Sequence, residues 1–179
     1  MAAAQARNIP LTFFQIGEHV ASYPGVSASV NSNGFLLADH TYSHPSAIGP
    51  PPPSDAAISQ EATSAADIIE ASTGRNPRFF RPPYGDYTPA AMLNWYNLGF
   101  YVVNWDVDSN DWQDPGNADA AYNNVEAQFL EDTNAGHIIL CHDIHTACKD
   151  AFPRIVDLFQ SNGYTFVSLE DCLGIAAYK

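Results

Sequence analysis

Short apolar runs alternate with longer amphipathic stretches along this chain. Residues 9–15 (Ile-Pro-Leu-Thr-Phe-Phe-Gln) are rich in β-branched and aromatic side chains and predict a buried strand, entered directly after the opening residues and stopped at Gly17. Glu18 to Asn31 predicts a helix broken near Pro24-Gly25, and Gly34 to Ala38 a second apolar strand. Four consecutive prolines, Pro50 to Pro53, predict a stiff loop. Ser54 and Asp55 then offer N-caps to an alanine-rich helix that runs to Thr73, with Gly74 as its C-cap. Phe79-Phe80 predicts a strand, and Thr88 caps a helix from Pro89 to Asn97. Further strands are expected over Phe100–Trp105, His137–Cys141 and Thr165–Val167. Helices are expected over Ala118–Thr133 and Ala147–Gln160, and a last one begins at Leu169 behind Ser168. Strands that alternate with helices imply parallel βα units, in an open sheet or a barrel, within a single domain over residues 1–179.

Composition narrows the partners. The chain carries 20 acidic against 7 basic residues, a formal net charge of −13. Such a surface repels nucleic acid and anionic membranes, whereas a neutral or cationic polymer is compatible with it. The same charge also serves solubility. No apolar run approaches the roughly 18 residues of a membrane-spanning helix. Cys141 lies in an apolar run and reads as a small buried hydrophobe, while Cys148 and Cys172 are available to pair if their helices meet. One disulfide would suit a secreted protein. The opening residues lack the basic head and apolar stretch of a signal peptide.

Four polar blocks fall where predicted strands end, which is the functional face of parallel α/β folds. In the first, His40 and His44 stand four residues apart. If the backbone turns helically after the strand, both rings can share one divalent ion; otherwise they are ordinary surface or capping histidines. In the second, Arg81-Pro82-Pro83-Tyr84-Gly85, two prolines fix the directions of the arginine side chain and the Tyr84 amide. Such an arginine can orient a carboxylate, and such an amide can stabilise an oxyanion; a rigid surface loop is the alternative. The third places Asp106, Asp108 and Asp111 beside Trp105 and Trp112. It suits a sugar ring on an indole face, or an alternate-oxygen calcium loop that lacks the usual central glycine and distal glutamate. The fourth, Leu140-Cys141-His142-Asp143, sets a histidine just past a buried strand. His142 there is either a general acid, its proton held by Asp108, or a hydrogen-bonded core histidine. His145 is a weaker candidate, and His19 and His137 read as structural.

Together, in this order, the four blocks resemble the polysaccharide deacetylases of carbohydrate esterase family four, over nearly all the chain from Leu11 to Gly174. The resemblance implies a distorted (β/α) barrel, a divalent metal (zinc, or a substitute such as cobalt), and removal of acetyl groups from N-acetylglucosamine polymers such as chitin or from xylan. It implies His40 and His44 as metal ligands, Arg81 as the orienter of the catalytic base, and the Tyr84 amide as oxyanion donor. It further implies Asp108 as the carboxylate that tunes the acid, His142 as that acid, and Trp112 and Leu140 as walls of the acetyl pocket. Details around Trp105 and Asn162-Gly163-Tyr164 look most like fungal chitin deacetylases. The resemblance also implies a secreted or cell-wall location.

The family pattern opens with a strand ending in Thr-Phe-Asp-Asp-Gly, whose aspartates act as base and third metal ligand. Here the only acidic residue before Asp39 is Glu18, and Asp39 is expected to point away from His40. An incomplete barrel without its first strand is therefore expected. A fragment, a natural variant that keeps a two-histidine metal site with different chemistry or none, and a chain that borrows the strand from another chain all fit this pattern. An open edge at Leu11–Gln15 would invite pairing between copies. Besides a metal-dependent deacetylase, the residues fit a non-catalytic carbohydrate-binding module or a hydrolase of small amides and esters.

Overall fold

The computed structural model describes all 179 residues and resolves two compact units, residues 3–104 with 167–179, and residues 105–166. In the first, four strands form a parallel sheet in the order β1 (Thr12–Gln15), β2 (Leu36–Asp39), β3 (Phe79–Phe80), β4 (Tyr101–Val102). Leu37, Ala38, Phe79 and Phe80 are buried, as expected of parallel strands covered on both faces. The helices are α1 (Ala2–Ala6), α2 (Gly17–Ser22), α3 (Pro24–Ser32), α4 (Asp55–Thr73), α5 (Pro89–Asn97) and the terminal α8 (Leu169–Leu173). Ile58, Ala62 and Ala66 of α4 pack with Phe80, Trp95 and Phe100; small residues at helical spacing let α4 lie close.

Local signals set most boundaries. The Ser54 hydroxyl accepts from the Ala57 amide, and Gly74 is left-handed with its N–H on the Glu70 carbonyl, so α4 is capped at both ends. Thr88 likewise accepts from the Ala91 amide, with Pro89 at the first position of α5. Thr88→Ala is expected to lower unfolding stability by about 1 kcal/mol, measured by denaturant titration; an unchanged midpoint would show that the cap contributes nothing.

The second unit pairs β5 (Val107–Asp108) with β6 (Ile139–Leu140) in parallel and covers them with α6 (Ala118–Glu131) and α7 (Thr146–Ser161). Its core joins Val107, Val125, Phe129, Ile155 and Phe159.

Several expectations need correction. The chain does not enter β1 directly, because the alanine-rich opening forms α1. Residues 165–167 form no strand: exposure alternates there as in a strand, but no neighbouring strand supplies hydrogen bonds. The apolar run from Phe100 pairs only at Tyr101–Val102, and Val107–Asp108 is a separate strand. Cys141 is not a free thiol. It forms a disulfide with Cys148, and Cys172 is free and exposed. The reason is local: Cys141 directly follows β6 and Cys148 lies in the first turn of α7, with Cα atoms 5.9 Å apart.

Candidate active site

The first group of site residues follows β2 and β3. His40 directly succeeds β2 and is buried. Its Nδ1 lies 2.6 Å from the Arg81 carbonyl, which only accepts, so Nδ1 carries the proton and Nε2 keeps its lone pair. The Arg81 guanidinium donates to that Nε2 at 3.2 Å, and the Arg81 amide is fixed to the Asp39 carbonyl. This tautomer leaves Nε2 as the ring's one lone pair, which the Arg81 guanidinium occupies here, so a metal ion would have to displace that contact.

Residues 40–44 do not turn helically as expected. They form a bend in which Thr41 (φ 65°) and His44 (φ 62°) are left-handed, and this bend brings the two imidazoles to 4.7 Å between centroids. Left-handed non-glycine residues persist only where surroundings over-determine them. Here the surroundings are explicit. Glu61 of α4 accepts from the Tyr42 and Ser43 amides at 3.0 and 2.8 Å and from the Ser43 hydroxyl at 2.9 Å. The amides of Gly17 and Glu18, at the start of α2, donate to the carbonyls of Thr41 and Tyr42. A Cβ at Gly17 would come within 2.6 Å of the Tyr42 ring, so only glycine permits this approach. The Thr41 hydroxyl accepts from the His44 amide at 3.1 Å.

Asp39 is fully buried, and its Oδ1 accepts from the Thr41 amide at 2.8 Å. Burial pushes its carboxyl well above the ordinary value, against the opposing pull of that amide. Its other oxygen, Oδ2, is buried without a hydrogen-bond partner. No group of three or more His, Cys, Asp and Glu side chains is arranged to hold a metal. Two imidazoles fit a divalent ion with the remaining positions left to water. They do not fit the three-ligand centre of catalytic zinc.

Tyr84 completes this group. It is left-handed (φ 61°), exposed, and packs its ring 4.8 Å from that of His44. The neighbouring Gly85 and Asp86 amides donate to Pro82 and Pro83, whereas the Tyr84 N–H has no acceptor and is open to a ligand oxygen.

The second group belongs to the other unit. His142 follows β6. Its Nδ1 lies 2.7 Å from Asp111 Oδ1, and its amide donates to Asp111 Oδ2 at 2.8 Å. The Asp111 side chain has no exposure, while His142 remains about one quarter exposed at 28%. Burial alone would raise the Asp111 carboxyl; the His142 ring and amide outweigh it and hold the carboxyl below its ordinary value.

The carboxylate that holds His142 is therefore Asp111, not Asp108. The Asp108 carboxylate is consumed locally, accepting from Asn110 N at 2.7 Å and Trp105 Nε1 at 3.2 Å, while Gln128 makes two hydrogen bonds to the Asp108 backbone. Trp112 exposes its indole, and Leu140 is buried in β6. His137 is structural, as expected: its two nitrogens lie against Asp106 and the Asp132 carbonyl within an aromatic cluster of Phe129, Phe159 and Tyr164.

Sequence reasoning missed three contributors. Glu61 and Gly17 act through the loop backbone, which no spacing rule reveals. Asp111 was in view as part of the acidic cluster, and its place next to Trp112 was the available signal.

Residues 2–103 match the family model described as polysaccharide deacetylase. The chain belongs to the polysaccharide deacetylase family. It is 28% identical to a peptidoglycan-N-acetylglucosamine deacetylase of Bacillus cereus over 166 residues, which cover 90% of this chain and 58% of that protein. It is 34% identical to a chitooligosaccharide deacetylase of Azorhizobium caulinodans over 137 residues, 74% of this chain and 60% of that protein. The chain thus spans about three fifths of the length of these relatives. In fold it superposes on the crystal structure of the Bc1960 peptidoglycan N-acetylglucosamine deacetylase with a TM-score of 0.89 and 25% identity, covering 99% of this chain and 81% of that one. The mixed α/β fold with parallel strands is thus that of the family's deacetylases.

Proposed function

We propose that this polysaccharide deacetylase-family chain hydrolyses acetamido groups on an N-acetylglucosamine-containing polysaccharide such as chitin or peptidoglycan. The observation that carries the proposal is the His142–Asp111 pair: a partly exposed imidazole whose Nδ1 is fixed on a buried carboxylate, leaving Nε2 to deliver a proton to a departing amine. The open Tyr84 N–H is suited to a developing oxyanion, and the exposed Trp112 indole to a sugar ring. His40 and His44 offer two nitrogen donors to zinc or cobalt, and no third protein ligand stands with them. The Cys141–Cys148 disulfide supports a secreted or cell-wall setting, and no helix is long and apolar enough to cross a membrane.

The same lack of a third ligand and a positioned base favours a second reading, carbohydrate binding without turnover. Acetate release from chitin and peptidoglycan oligomers, with zinc or cobalt added, separates the two. Hydrolysis predicts slow release, about 10²–10⁴-fold below that of a site with a positioned base, abolished by His142→Ala. Oligomer binding with no acetate under either metal would establish the second reading.

A further inference from the structure

The first unit holds a concavity away from its own site residues His40, His44, Arg81 and Tyr84. Its volume is about 520 Å³, and its walls include Arg78, Tyr96, Asn97, Tyr101 and Lys179. Arg78 immediately precedes β3 and Tyr101 opens β4, so the groove lies at the N-terminal ends of these parallel strands. His40 and Arg81 follow the C-terminal ends of β2 and β3, at the opposite edge of the sheet.

Charge distinguishes this groove. The chain has 7 basic residues against 20 acidic ones, yet two of the seven meet here. The Lys179 ammonium is held in place, donating to the Leu98 carbonyl at 3.0 Å and lying 3.7 Å from the centroid of the buried Phe100 ring. Gly99 (φ +85°) makes room for it, since a Cβ there would meet Lys179 Cε at 3.3 Å. Burial, with Arg78 adding repulsion, holds the Lys179 ammonium below its ordinary value against the opposing pull of Asp39, Asp67 and Glu70. Arg78 forms no ion pair, so its planar fork is free to take a carboxylate through two parallel hydrogen bonds. Neither cation has a carboxylate within ion-pair distance, so an anion bound between them would gain from both. Beside them stand two tyrosines in edge contact, 6.1 Å between centroids, with Tyr96 largely exposed at 60%. A flat aromatic face with a hydroxyl suits the apolar face and rim of a pyranose. A polyanion would meet the repulsion of the −13 net charge, whereas a single acid group on a neutral ring would not.

We propose that this groove binds a carboxylate-bearing saccharide, with the sugar ring on Tyr96 and Tyr101 and the acid group on Arg78 and Lys179. It would anchor an acidic glycan at the end of the sheet opposite His40 and Arg81. The inference does not depend on turnover, and Arg78→Gln is expected to leave acetate release from neutral chitin oligomers unchanged.

Calorimetric titration of the 179-residue chain with two disaccharides of equal size tests it. One is N-acetylglucosaminyl-N-acetylmuramic acid, which carries a carboxylate; the other is neutral diacetylchitobiose. The acidic disaccharide is expected to show a binding event that the neutral one lacks. Arg78→Gln and Lys179→Gln should each weaken that event by about tenfold or more, as loss of a charge-assisted partner does. Tyr96→Ala, at an exposed position, should weaken it without changing the fold and keeps the test valid if an Arg78 variant misfolds. Equal binding of both disaccharides, or binding of the acidic one that survives all three substitutions, would overturn the proposal. So would competition by inorganic phosphate in the absence of any saccharide preference.

Discussion

Asp111→Asn is expected to lower acetate release by about 10²–10⁴-fold, the range that general acid–base catalysis spans. The two Asp111 oxygens each accept one N–H, from the His142 ring and the His142 amide. An asparagine has one oxygen and one NH₂, so it cannot accept both. If it keeps the amide, its NH₂ faces Nδ1, and the imidazole must move its proton to Nε2 or rotate away. Either change removes the fixed tautomer that proton delivery requires. Stability should fall as well, by about 1–3 kcal/mol for a donor left without an acceptor. The pH dependence has a definite sign. The Asp111 carboxyl is depressed in the folded state, so its stabilisation is present above the ordinary carboxylate range and is lost as pH falls through the lower folded value. Acid unfolding of the Asn variant should lack this part of the acid limb. Equal turnover in both proteins would show that His142 does not act through Asp111.

Glu61→Ala is expected to cost about 2–4 kcal/mol and to release the His40–His44 loop, because bonds to a charged acceptor contribute about 1.5–3 kcal/mol each and do not sum fully. Three donors rest on this one carboxylate, two of them backbone amides between the left-handed Thr41 and His44. Without it, the bend that sets the imidazoles 4.7 Å apart loses its main anchor on α4. Glu61→Gln keeps one oxygen and should fall between the two. Hydrogen exchange at the Tyr42 and Ser43 amides reads the loop directly. Protection that persists in the Ala variant would assign the hold to Gly17, Glu18 and Asp39 instead.

The fold was legible where local chemistry is strong. Ser54, Gly74, Thr88 and Pro89 mark helix ends by capping, and these boundaries match the structure residue for residue. Strand ends were less legible, since pairing depends on a neighbour: Phe100–Trp105 is apolar but for Asn104, yet only Tyr101–Val102 finds a partner in β3. The site divides in the same way. His40, His44, Arg81 and Tyr84 could be picked out because strand ends and prolines fix them. The left-handed bend, its Glu61 anchor and the choice of Asp111 over Asp108 arise from contacts between residues far apart in sequence, which no local spacing encodes. The disulfide followed the same logic, since Cys148 met the nearest strand end rather than the last helix.

We propose that residues 40–44 present two imidazoles to one divalent ion. Cobalt titration of the 179-residue chain, followed by its visible absorption, tests this most directly. The account predicts one bound ion with nitrogen ligation, weakened on the order of 100-fold by His40→Ala or His44→Ala. That loss lies at the upper end of the roughly 10–100-fold typical for an outer-shell partner. Absence of binding, or binding unchanged in both variants, would contradict it and leave the histidine pair a structural feature of the loop.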